Sequence, residues 1–203
     1  MSTELSKWIA VFCASAAGAK PEYLEVARTL GREMADRSYG LVYGGATVGA
    51  MGAVADAALA AGGKVMGVIP DLIMDLEIGH RQLTELHVVR TMHERKALMA
   101  SRADAFLALP GGYGTLDEFI EIVTWAQLRI HTKPCVMVNV GGYYDPLLAF
   151  FDNAVEQELI KPENRGLVQV AQNVAGALEL VESEWRKREE IPASDARMDE
   201  LVK

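Results

Sequence analysis

Two short segments hold residues whose types and spacing suit chemistry. The first is Pro110-Gly111-Gly112-Tyr113-Gly114-Thr115, followed directly by Leu116-Asp117-Glu118. Glycines at a strand-to-helix turn let the backbone approach a ligand closely and adopt positive φ. The helix N-terminus that follows offers unpaired N–H groups and the positive end of its dipole, and both suit a monophosphate. Glu118 would sit just beneath such a loop. There a carboxylate can orient water or ribose hydroxyls and stabilise the positive charge that develops as a glycosidic bond breaks. Two plainer readings stay open: the glycines only make a tight turn, and Thr115 to Glu118 is a capping box. In that box the Thr115 hydroxyl accepts from the Glu118 N–H and the Glu118 carboxylate reaches back. Glu121 reads as solvated.

The second segment is Met92-His93-Glu94-Arg95-Lys96. Helical spacing puts Arg95 on one stripe with Met92, Met99 and Arg102. A charge in a half-apolar stripe usually has an anionic partner or a ligand, and the guanidinium fork suits a phosphate or carboxylate. The alternative is a local acid, Glu94 or Asp104.

Other glycine-rich and metal-binding patterns are incomplete in this chain. The loop from Cys13 to Gly18 lacks the dinucleotide fingerprint, and Gly44-Gly45-Ala46-Thr47-Val48-Gly49-Ala50-Met51-Gly52 has the wrong spacing for it. Gly44 and Gly49 have P-loop spacing, but Ala50 and Met51 stand where Lys and Ser/Thr are needed. Ala97 replaces the second histidine of a metalloprotease helix, and there is no nucleophile elbow. His80, His87, His93 and His131 are scattered, and Cys13 and Cys135 have no ligand spacing, so no metal site is expected.

The elements that must position these residues alternate regularly. Apolar runs at Trp8–Phe12, Leu41–Tyr43, Lys64–Ile69, His87–Arg90, Ala105–Leu109 and Cys135–Val140, with a weaker one at Leu167–Ala171, read as strands covered on both faces. Helical patterns at Pro21–Arg37, Gly49–Ala61, Met92–Ala103, Thr115–Leu128, Pro146–Glu158 and Ala175–Arg188 separate them. The alternation predicts a single α/β domain over residues 1–185. Its core is a doubly wound, mainly parallel, Rossmann-like sheet with helices on both faces. Ligands then bind beyond the carboxyl ends of the strands. Asp71 to Glu85 is a long aperiodic connection of the kind that covers active sites. Residues 186–203 read as a charged, frayed tail.

Composition narrows the partners. The 203 residues are half hydrophobic with a formal net charge of -8, which disfavours nucleic acid. No run is long enough to span a bilayer. The apolar run from Trp8 could end a signal peptide, but Glu4 and the β-forming start favour a first buried strand. Two unpaired cysteines fit a reducing, cytoplasmic setting.

With these segments in view, the chain resembles the LONELY GUY family of phosphoribohydrolases. Met92-His93-Glu94-Arg95-Lys96 and the run from Pro110 to Glu118 look like its two signatures. Val11-Phe12-Cys13 with Ser15, Leu41 to Gly45, Gly67 to Pro70, Thr124 to Leu128 and Asn139 to Tyr144 follow in order. The resemblance implies release of base and ribose 5-phosphate from a cytokinin riboside 5′-monophosphate and from AMP, with no cofactor or metal, by a homodimer. It makes Arg95 and Glu118 catalytic, and Gly111, Gly112, Gly114 and Thr115 a phosphate cradle. Further substrate positions would be Glu77, Lys96, Tyr113, Thr124, Gly44, Gly45 and Ser15. Ala14 and Ala46 depart from the family pattern where glycine is usual, and so does the Asp71–Glu85 loop. Molybdenum-cofactor carriers look similar around the glycine loop, so a nucleotide-like cofactor carrier or a non-catalytic nucleotide sensor is the alternative.

Overall fold

The computed structural model describes residues 7–74, 79–80 and 82–189. Its strands are β1 (Lys7–Phe12), β2 (Tyr39–Tyr43), β3 (Val65–Pro70), β4 (Glu85–Val89), β5 (Ala105–Ala108), β6 (Cys135–Val138) and β7 (Val168–Ala171). The helices are α1 (Pro21–Asp36), α2 (Gly49–Ala60), α3 (Asp71–Met74), α4 (Met92–Arg102), α5 (Tyr113–Gln127), α6 (Asp145–Glu156), α7 (Pro162–Arg165) and α8 (Val174–Glu189). The strands form one sheet in the order β4-β3-β2-β1-β5-β6-β7, and every pairing is parallel. This is the doubly wound Rossmann-like sheet expected from the alternation.

The central strands are apolar throughout because both faces are covered. Along β1, Ile9 and Val11 point into a core shared with α1, α2 and α8. Ala10 and Phe12 point into a second core, built with α4, α5 and α6. The winding reverses beside β1, which pairs with β2 on one side and β5 on the other. The register Phe12↔Ala108 brings the loops after β1 and β5 out side by side. A crevice at that switch point follows from the connectivity.

Several boundaries differ from the sequence reading. Helix α5 starts at Tyr113, with Gly112 as its N-cap, so Thr115 lies inside the first turn. The capping box expected at Thr115–Glu118 therefore does not form. A variant of it starts α4 instead, where the Thr91 hydroxyl accepts from the Glu94 N–H (3.0 Å) and the Glu94 carboxylate accepts from the N–H of Arg90, one residue before the N-cap (2.8 Å). The connection from Asp71 holds the short α3 and an antiparallel bridge between Ala46 and Gly79. Helix α8 runs past Arg186 to Glu189, and the remainder of the charged tail lies outside the described residues.

Candidate active site

The loops after β1 and β5 enclose a cavity of about 280 Å³. Cys13, Ala14, Ser15 and Ala16 line one side, Gly112 to Thr115 with Asp117 and Glu118 another, and Met51, Met92 and Arg95 complete the lining. A larger opening of about 710 Å³ lies between α1 and α2, but it is lined mainly by small residues. Its two arginines, Arg28 and Arg32, are both paired with Glu25. The residues suited to chemistry are in the smaller cavity.

Arg95 enters the cavity from the first turn of α4 and is 5% exposed. Its Nε donates to the Val68 carbonyl (3.2 Å), and its Nη1 stands 3.3 Å from the Glu118 carboxylate. Glu118 comes from α5 and is 7% exposed. Neither acid near Arg95 in sequence is its partner: Glu94 caps α4, and Asp104 accepts the Trp8 N–H (2.8 Å). Gly44 makes this arrangement possible, since a β-carbon there would stand 2.0 Å from Nη2 of Arg95.

The phosphate-type features lie beside this pair. The amides of Gly112, Tyr113, Gly114 and Thr115 open α5 and have no intrahelical acceptor. The Thr115 hydroxyl is buried and makes no hydrogen bond within the protein, which is uncommon for a buried polar group. Gly111 must be glycine, because a β-carbon there would stand 2.1 Å from that hydroxyl. Tyr113 is exposed at the rim. Cys13 is held well above the usual thiol range, first by burial and then by the nearby Glu118 carboxylate, with Arg95 opposing. It lines the site as a neutral thiol.

The structure thus brings together Arg95, Glu118, Gly112, Tyr113, Gly114, Thr115 and Ser15, with Gly111 and Gly44 packed directly behind. Gly45, at φ 81°, receives the His80 N–H on its carbonyl (2.9 Å) and so holds the returning loop. Lys96 and Thr124 do not line this cavity. Lys96 bridges α4 to α5 through Asp117 (3.1 Å) and Glu121 (3.0 Å), so Glu121 is ion-paired and not simply solvated. Thr124 is exposed and donates to the Ile120 carbonyl (2.8 Å). Glu77 lies outside the described residues. The sequence reading did not single out the contributions of Cys13, Met51 and Met92 to the cavity. Cys13, Met51 and Met92 stand inside segments read for other reasons, and their side chains converge only once the fold brings those segments together. Among the described residues, no group of three or more His, Cys, Asp and Glu side chains could hold a metal ion.

These features define a Rossmann-like α/β protein with an open helix N-terminus and a buried arginine–glutamate pair at its switch point. Residues 51–181 match a family described as "possible lysine decarboxylase". A cytokinin riboside 5′-monophosphate phosphoribohydrolase of Arabidopsis thaliana is 51% identical over 167 residues, 82% of this chain and 77% of that one. A phosphoribohydrolase of the same description from Rhodococcoides fascians is 47% identical over 178 residues, 87% of this chain and 90% of that one. The chain belongs to the LONELY GUY family of phosphoribohydrolases. Among solved structures, a molybdenum cofactor carrier protein from Chlamydomonas reinhardtii superposes with a TM-score of 0.67 at 26% identity, covering 89% of this chain and 98% of that one. The decarboxylase description finds no support in the cavity, where no lysine among the described residues is placed to form a Schiff base.

Proposed function

We propose that the protein hydrolyses the N-glycosidic bond of cytokinin riboside 5′-monophosphates, and of AMP, to free base and ribose 5-phosphate. The observation that carries this reading is the buried Arg95–Glu118 pair at 3.3 Å, set beside the open N-terminus of α5. The 5′-phosphate sits on the amides of Gly112 to Thr115 and takes the Thr115 hydroxyl as a donor. That anchor places the ribose over Glu118. As the bond from C1′ to the base nitrogen breaks, the base leaves with the electron pair, and the carboxylate stabilises the ribosyl cation. Glu118 also directs water, whose hydroxyl adds to C1′ while its proton goes to the departing base. Arg95 holds the Glu118 carboxylate in place and contacts the phosphate or the leaving base.

The same reading extends to a cytoplasmic homodimer. Met92 and Tyr113 are exposed on α4 and α5, and Leu128 is exposed at the C-terminal end of α5. Lys96 and Thr124 stand on these helices outside the cavity, so a second copy docked there would bring its own groups to the mouth. The two free, buried cysteines fit a reducing compartment. No helix among the described residues is long and apolar enough to cross a membrane.

Glu118→Gln tests the mechanism. Base release should fall at least about 100-fold, the scale of losing a stabilising charge at the reacting centre. Stability should fall by about 3 kcal/mol because Arg95 stays buried without its counter-charge. A folded variant with full activity contradicts the role given to Glu118. The likeness to a molybdenum cofactor carrier supports a second reading, a carrier of a nucleotide-like cofactor. A co-purifying pterin together with no base release would favour it. Tight AMP binding that alters self-association without turnover would instead favour a nucleotide sensor.

A further inference from the structure

A loop that presents its amides to a phosphate must turn its carbonyls away and satisfy them elsewhere. In the loop after β5, two of those carbonyls are held by one neighbouring segment. The Tyr144 hydroxyl donates to the Leu109 carbonyl (2.6 Å), and the Tyr143 hydroxyl donates to the Gly111 carbonyl (2.8 Å). Between these two carbonyls lies only Pro110, and directly after them comes the N-terminus of α5.

The segment after β6 is built to deliver this pair. Asn139 is buried, donates its own N–H to the Ala171 carbonyl (2.7 Å), and accepts the Tyr144 N–H on its side-chain oxygen (2.7 Å). Its side-chain amide donates to Asp145 (2.7 Å). Gly141 and Gly142 turn the chain through positive φ (57° and 73°), and a β-carbon on Gly142 would stand 2.5 Å from the Asp145 carboxylate. The rings brace one another. Tyr143 meets Tyr144 edge-on at 4.9 Å and Tyr23 at 5.5 Å. Packing alone would need the rings but not the two hydroxyls aimed at carbonyls of the same loop.

We propose that Tyr143 and Tyr144 are positioning residues for the phosphate site: by holding the Gly111 and Leu109 carbonyls they fix the loop with the amides of Gly112 to Thr115 toward the 5′-phosphate. Neither touches the reacting atoms. This inference rests on the phosphate placement given under Proposed function, and the test separates the two.

Tyr143→Phe keeps the ring, and Tyr143 is 41% exposed, so the variant is expected to fold. Tyr144→Phe makes the same deletion at the buried partner. Ribose 5-phosphate binding is measured by titration calorimetry, and KM and kcat for AMP are measured separately, with adenosine as an unphosphorylated inhibitor. Each variant should bind ribose 5-phosphate about 3- to 10-fold more weakly and raise KM to match, the effect of one neutral hydrogen bond. Values of kcat and adenosine inhibition should stay within about twofold of the wild type. Wild-type affinity for ribose 5-phosphate in both variants would overturn the proposal. Equal weakening toward adenosine would overturn it too, because a general packing role predicts that. The calorimetry needs no turnover. A wild-type protein that binds ribose 5-phosphate without releasing base, and loses that binding in Tyr143→Phe, upholds the positioning role while the hydrolase reading falls.

Discussion

Gly111 and Thr115 are in such close contact that a β-carbon on Gly111 would overlap the Thr115 hydroxyl at 2.1 Å and its β-carbon at 2.6 Å. Gly114, one residue before Thr115, has open space where its β-carbon would go. Packing therefore demands glycine at Gly111, whereas at Gly114 only a ligand brought close to the backbone would. Gly111→Ala must displace either the loop or the first turn of α5, and should lower both melting temperature and activity. Gly114→Ala should melt with the wild type and lose activity only through its approach to the phosphate. Thermal melts paired with base-release assays distinguish them, and a Gly111→Ala protein of wild-type stability would contradict the packing described.

The Thr115 hydroxyl is buried with no acceptor or donor in the protein. Replacing it by a methyl of similar shape removes a desolvated polar group, which can be neutral or stabilising. Thr115→Val should thus gain up to about 1 kcal/mol of stability while raising KM for a monophosphate about tenfold, roughly the loss of one hydrogen bond to a charged group. A stabilised variant with unchanged KM would remove Thr115 from the phosphate site.

Gly44 tests the arginine without altering its charge. A β-carbon there would lie 2.0 Å from Nη2 of Arg95 and 2.8 Å from the Met51 sulfur. In Gly44→Ala the guanidinium must shift from its place beside Glu118. We expect kcat to fall by about 100-fold, the scale that follows from misplacing a positioning group by around an ångström. Unchanged kinetics in this variant would mean that Arg95 tolerates displacement.

Acid stability should depend on His131. Its Nε2–H donates to the Ile122 carbonyl (2.9 Å), and its Nδ1 accepts the Lys133 N–H (3.0 Å), so both nitrogens are satisfied in the neutral ring. Burial holds its pKa down at about 4, against 6.5 for the free side chain. As pH falls, the unfolded chain takes up this proton first. The contribution is full above pH 6.5 and is lost progressively between 6.5 and about 4. At pH 5 the loss is about 2 kcal/mol relative to pH 7. Denaturant melts of the wild type and His131→Gln check this. The variant should be weaker at pH 7 but show a flatter decline, and parallel declines would show that His131 is not the group responsible.

Much of this architecture was legible because it rests on local pattern. The alternating runs place seven strands, and apolar residues at consecutive positions, such as Ile9-Ala10-Val11-Phe12, signal burial on both faces. Arg95 could be picked out as a cation on a half-apolar stripe, but spacing alone did not reach its partner, and only the family resemblance put Glu118 beside it. The sequence offers Glu94 and Asp104, whereas Glu118 is brought in only by the packing of α5 beside α4. The capping-box pattern at Thr115 misled because the chain turns helical earlier, at Tyr113 behind the Gly112 N-cap. Glu121 looked solvated because its partner, Lys96, lies on another helix. The hydroxyl contacts of Tyr143 and Tyr144 span more than thirty residues, and no spacing rule reaches that far.

The central claim is cleavage at the sugar–base bond that depends on the 5′-phosphate. Its most direct test is base release by the purified protein, followed by chromatography, from isopentenyladenosine 5′-monophosphate and AMP beside the matching nucleosides. Free base is expected from both monophosphates and none from either nucleoside. Equal release from the nucleosides would contradict the phosphate anchor at α5, and no release from any of the four by a folded protein would contradict the hydrolase itself.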